Sequence, residues 1–130
     1  MADDRDPLAA FDSEVIAAAA REHGLETGDL ADLLARHQEG VRELPGVEDI
    51  VYEWRTQFHR DPLAGRTPGA YYLALPAHVW DEFLDALGVE GDRADALRAA
   101  HRVQFDRAAE EAGFDPDRAA DDAAVVLTRP

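Results

Sequence analysis

The chain has 130 residues, 46% of them hydrophobic, and sets 28 acidic side chains against 13 basic ones for a formal net charge of −15. A chain of this length supports one domain that buries about two-thirds of its unfolded surface, so its core needs neither disulfides nor metals. All 13 cations are arginine: without lysine there is no Walker-type phosphate loop or Schiff base, and without cysteine no thiol nucleophile, iron–sulfur cluster or disulfide staple.

The chain opens on Met1-Ala2-Asp3-Asp4, which is acidic and lacks the basic start and apolar stretch of a secretory signal; residues 1–7 read as frayed. The longest apolar runs, such as Val15 to Ala20, fall well short of the ~20 residues a spanning helix needs, so a cytosolic protein with no membrane contact is expected. Asp12 or Ser13 can cap a first helix with Val15, Ile16, Ala19 and Ala20 on its apolar stripe and Gly24 as its stop. Thr27 can cap a second, in which Leu30, Leu33, Leu34, His37, Val41 and Leu44 fall at helical spacing until Pro45-Gly46.

Residues 48–58 fit two periods. Ile50, Val51, Trp54 and Phe58 suit a helix face, yet Ile50, Tyr52, Trp54, Thr56 and Phe58 alternate, and all five are good strand formers. Propensity favours a strand over about 48–58. Asp61-Pro62 and Gly65-Arg66-Thr67-Pro68-Gly69 then form a loop, and 71–75 reads as a second strand making a hairpin with the first. The alternative there is a helix capped by Thr67 with Pro68 at its first position.

After Pro76, Val79, Trp80, Phe83, Leu84 and Leu87 mark an amphipathic helix stopped by Gly88. Asp92 caps a longer one carrying Leu97, His101, Phe105, Ala108 and Ala112, stopped by Gly113. Asp115-Pro116 opens a short helical turn, and Ala124 to Thr128 suits an edge strand. The expected fold is therefore α+β and mainly helical, within a single domain spanning 1–130: two N-terminal helices, a β-hairpin (about 48–58 and 71–75), two longer helices and a C-terminal edge strand. An all-α bundle of five to six helices is the alternative.

Catalytic patterns are scarce. Ser13 is the only serine, sits at a helix start and lacks a Gly-x-Ser-x-Gly setting. His78 and Glu82 stand at i and i+4, a spacing that serves either two metal ligands or an ordinary surface pair, with His59 and Asp61 nearby in sequence. His37 and His101 lie on apolar faces, where one ring nitrogen is normally satisfied. The acidic pairs Asp3-Asp4, Glu110-Glu111 and Asp121-Asp122 are adjacent, so their side chains diverge. The reading is non-enzymatic, with no catalytic residue, cofactor or metal.

The acidity is uneven. Between Trp54 and Trp80 the only acid is Asp61, against Arg55, Arg60 and Arg66, and the same window holds five of the ten aromatics. Arginine and large aromatics are the side chains most enriched at binding hot spots. Arg55, His59, Arg60, Arg66, Tyr71 and His78 are therefore the candidate binding residues, for a protein partner or a small anionic ligand.

Two resemblances accompany these readings. The acidic, alanine-rich, lysine-free composition resembles that of cytosolic proteins of extremely halophilic archaea, which implies a salt-rich habitat; at about 1 M salt the Debye length is only about 3 Å, so the self-repulsion is largely screened. An acidic nucleic-acid mimic is the competing reading of the same charge. Ala20, Gly24, Leu30 and Leu33 match the spacing of a helix-turn-helix core, and with a hairpin as wing residues 12–75 resemble a winged-helix protein, implying a DNA-binding regulator. The recognition helix that this implies offers Asp29 and Asp32 against only Arg36 and His37, whereas phosphate binding needs clustered positive charge.

Overall fold

The computed structural model describes residues 5–119 and 122–130. Asp3, Asp4 and Asp121 lie outside the described residues. Of the start expected to fray, residues 5–7 are tied down: Arg5 donates to the Pro130 carbonyl at 3.0 Å, and Thr128 Oγ1 donates to the Pro7 carbonyl at 2.7 Å.

Helix α1 (Ser13–Glu22) buries Val15, Ile16, Ala19 and Ala20, the stripe its sequence spacing gives. Gly24, at φ +71°, turns the chain so that the Leu25 N–H reaches back to the Ala20 carbonyl at 2.8 Å. Helix α2 (Thr27–Glu43) buries Leu30, Leu33, Leu34 and Val41 together with two polar residues, His37 and Gln38.

Helix α3 occupies Val47–Gln57, which overturns the strand expected over 48–58. Its buried side chains are Val47, Val51 and Trp54, at i, i+4 and i+7. Tyr52, which alternation put on the same face as Trp54, is 70% exposed. Gly46, at φ +104°, lets the chain turn into the helix. Glu48 and Asp49 in the first turn and Arg55 in the last suit the helix dipole.

The hairpin lies further on. β1 (Leu63–Arg66) pairs antiparallel with β2 (Ala70–Leu75), with a bulge between Leu63 and Gly65. Thr67 Oγ1 accepts the N–H groups of Gly69 and Ala70, so Thr67 closes a turn and does not start a helix. Helices α4 (His78–Leu87) and α5 (Asp92–Ala112) end at Gly88 and Gly113, both left-handed, as the sequence indicates. A 3₁₀ turn (Pro116–Ala119) leads to β3 (Ala123–Thr128), which pairs antiparallel with β2. Among the described residues the result is an α+β fold of five α-helices on a three-stranded antiparallel sheet of order β1-β2-β3.

Both faces of the sheet are covered, and β2 is buried throughout. Tyr72 stacks on Phe114 beyond the end of α5, with ring centroids 5.3 Å apart. Tyr71 points to the other face, where its hydroxyl donates to Glu48 of α3.

The free edge of β3 is closed by side chains. Trp80 Nε1 donates to the Ala124 carbonyl at 3.1 Å, and His101 Nδ1 accepts the Val126 N–H at 2.9 Å. The Gln38 amide donates to the Val126 carbonyl and accepts the Thr128 N–H, both at 2.8 Å. Three helices thus supply the donors and acceptors that a fourth strand would provide.

Candidate functional site

A groove of about 580 Å³ runs between α3 and the β1 end of the sheet. Its size falls in the range of small-molecule sites, and Val51, Phe58 and Leu63 contribute apolar surface. Four of the six candidate residues line it: Arg55, His59, Arg66 and Tyr71. Leu63 pairs with Leu73 and Arg66 with Tyr71 across the hairpin, which carries the Arg66 and Tyr71 side chains to the α3 side.

The charged residues of the groove differ in what they have left to offer. Arg55 is engaged: its Nε and Nη2 reach the two carboxylate oxygens of Asp61 at 3.2 and 3.0 Å. Asp61 also accepts the Leu63 N–H at 3.0 Å, and Arg118 donates to its main-chain carbonyl. Desolvation alone would raise the Asp61 pKa, but the hydrogen bonds from Arg55 and Leu63 and the charges of Arg55 and Arg118 outweigh it and hold the carboxyl below its usual range. Arg55, Asp61 and Arg118 therefore form a strut that fixes the 58–63 loop.

Tyr71 is fixed as well. Its hydroxyl donates to Glu48 Oε1, Arg129 Nε stands 3.5 Å from the other Glu48 oxygen, and the Arg129 guanidinium lies 4.7 Å from the centre of the Tyr71 ring. Desolvation first, then the Glu48 carboxylate, raises the phenol pKa, so the ring stays neutral. Arg66 and His59, by contrast, are exposed and have no ion pair among the described residues.

Arg60 does not line this groove. It faces an adjoining hollow of about 290 Å³, which shares Phe58, His59 and Asp61 with the first and adds Arg118 and Asp122. His78, at the start of α4, lies outside both; its ring is 6.3 Å from that of Phe58. His78 and Glu82 share a helix face without a third ligand: no three His, Asp or Glu side chains are grouped for a metal ion among the described residues.

The sequence gives little sign of Glu48, Arg118 and Arg129. Glu48 reads as an ordinary first-turn acid once α3 is known to be a helix. The two arginines reach the site only through the path of the chain after α5.

His37 and His101 belong to the core. Their ring centroids are 5.2 Å apart, and Trp80, Phe83 and Phe11 pack around them. His101 Nδ1 accepts from Val126, and His37 Nδ1 lies 3.3 Å from the Gln38 amide nitrogen, itself a donor. Both protons are thereby assigned to Nε2, leaving no lone pair there for a metal. Desolvation lowers the His37 pKa to about 4; desolvation, followed by the charge of His37, lowers that of His101 well below its usual value.

The family model of a domain of unknown function, DUF8048, matches residues 9–129. No curated protein and no solved structure matches the chain. No helix among the described residues is long and apolar enough to cross a membrane.

Proposed function

The chain belongs to the DUF8048 family, and we propose that this member is a non-enzymatic binding domain that holds an anionic group in the groove between α3 and β1. The observation that carries this reading is Arg66. It is an exposed cation on a partly apolar groove, with no ion pair among the described residues, in a chain whose acids exceed its bases by 15. Arg55 and Tyr71 are engaged in holding the walls, which leaves Arg66 and His59 to meet the ligand, while Arg60 stands in the next hollow, where Arg60 and Arg118 are balanced by Asp61 and Asp122. A cytosolic, salt-rich setting is part of the same reading and rests on composition alone.

This reading outranks DNA binding on the charge of α2. That helix exposes Asp29 and Asp32, Arg36 donates to the Leu87 carbonyl at 3.2 Å, and His37 is buried.

The test is a titration of succinate followed by nuclear magnetic resonance, with the wild type and the Arg60→Glu, Arg66→Glu double variant at one fixed salt concentration. Succinate is expected to shift the Arg66 and His59 amide resonances in the wild type only. Equal shifts in both proteins, or none in the wild type, would rule out an anion site in this groove.

A further inference from the structure

The two edges of the sheet are finished differently, and the open one borders the groove. In an antiparallel ladder each residue turns both main-chain groups to the same neighbour, alternating along the strand. The Ala74 N–H reaches the Pro62 carbonyl at 2.8 Å, and Thr67 and Ala70 exchange bonds at 2.9 and 3.4 Å. Ala70, Tyr72 and Ala74 therefore face β1, and Tyr71, Leu73 and Leu75 face β3. The same phase turns Ala124, Val126 and Thr128 outward on β3, where Trp80, His101 and Gln38 meet them.

On β1 this phase turns Leu63 and Arg66 outward, since they pair with Leu73 and Tyr71. The Leu63 N–H is taken by Asp61 Oδ1. The phase takes the Arg66 N–H and C=O off β2, and no turn or loop bond reaches them among the described residues. The sheet thus presents one closed edge and one open edge, and Leu63 and Arg66 of the open one also line the groove. An exposed sheet edge is the setting in which an extended peptide adds as a further strand, with main-chain bonds giving affinity and alternate side chains giving specificity.

We infer that the anionic group belongs to an extended acidic peptide segment that adds along β1, pairing its main chain with Arg66 and setting carboxylates against Arg66 and His59. This rests on the anion-binding reading of the groove above. Charge complementarity selects the occupant. In the groove Asp61 is paired with Arg55 and Glu48 with Arg129, which leaves Arg66 as the surplus charge in a chain of net charge −15, so an acidic segment meets less repulsion here than over the chain at large. A four-residue strand with a bulge is a poor template for pairing with a second copy of itself.

The probe is a labelled octapeptide alternating glutamate and valine, tested beside two forms of it N-methylated on the odd or the even residues. All three are titrated into the full chain at a salt concentration where its circular dichroism is stable. The parent is expected to bind and to show main-chain contacts to Arg66 by nuclear magnetic resonance. One methylated form, the one whose lost N–H faces β1, should bind on the order of tenfold more weakly than the other. Equal binding of all three peptides, with sensitivity to Arg66→Glu retained, would overturn strand addition and leave the anion site standing. Succinate binding without parent-peptide binding would have the same meaning. If neither succinate nor the peptide shifts the groove resonances, both readings fall.

Discussion

Gln38 and Thr128 are joined at 2.8 Å, side-chain carbonyl to main-chain N–H, across 90 residues of sequence. The other end of the same amide reaches the Val126 carbonyl, so one side chain satisfies two main-chain groups of a buried strand. Gln38→Leu would keep the volume but leave both of these groups unpartnered. The expected loss is about 2–6 kcal/mol, since each of the two unsatisfied buried groups costs about 1–3 kcal/mol. Urea denaturation at fixed salt measures it; a loss below about 0.5 kcal/mol would mean that the amide does not hold β3 as described.

The two buried histidines predict acid sensitivity with a definite sign. An unfolded histidine titrates near 6.5, whereas His37 in the fold titrates at about 4. Above about pH 6.5 both states are neutral and stability is unaffected. As the pH falls towards 4 the unfolded chain takes up a proton that the fold refuses, and stability is lost through that window. The full loss for His37 is about 3 kcal/mol, and His101 acts in the same direction. His37→Phe should flatten the dependence of the urea midpoint on pH between 7 and 4. An unchanged slope would show that His37 does not carry it.

The net charge predicts a response to salt. At about 0.1 M the Debye length is about 10 Å and repulsion among the surplus acids spans neighbouring side chains; at about 1 M it is about 3 Å. The melting temperature should therefore rise steeply with potassium chloride, and dilution should loosen the fold. A circular-dichroism spectrum and melting temperature indifferent to salt would remove the basis for the salt-adapted reading.

Gly65 faces the ring of Phe114 so closely that any Cβ there would collide with it. Gly65→Ala should push Phe114 off Tyr72 and cost about 1–3 kcal/mol. Combining it with Phe114→Ala should cost less than the sum of the two single changes. Full additivity would mean that the ring does not pack over Gly65.

Where local chemistry and tertiary packing agree, the fold is legible in the sequence. Gly88 and Gly113 end α4 and α5, the stripe of α1 is buried as its spacing indicates, and Ala123–Thr128 forms the C-terminal strand. Residues 48–58 were ambiguous because Ile50 and Trp54 satisfy both periods. Burial of Val47 and Val51, and exposure of Tyr52, decided the outcome through contacts with the rest of the chain. β1 left almost no trace, since Leu63-Ala64-Gly65-Arg66 is short, bulged and only partly buried. The groove was half legible. The gap in the acid coat pointed to Arg55, His59, Arg66 and Tyr71, but nothing local told an engaged arginine from a free one.

The side-chain closure of β3 also bears on the timing of folding during synthesis. Gln38, Trp80 and His101 leave the ribosome long before residues 124–128, yet each has its main-chain partner only in that strand. A nascent chain arrested before residue 123 would hold a two-stranded sheet and a core with those polar groups unanswered. The cooperative fold should therefore appear abruptly once that strand clears the exit tunnel, so protease resistance of arrested chains should rise in a single step with length.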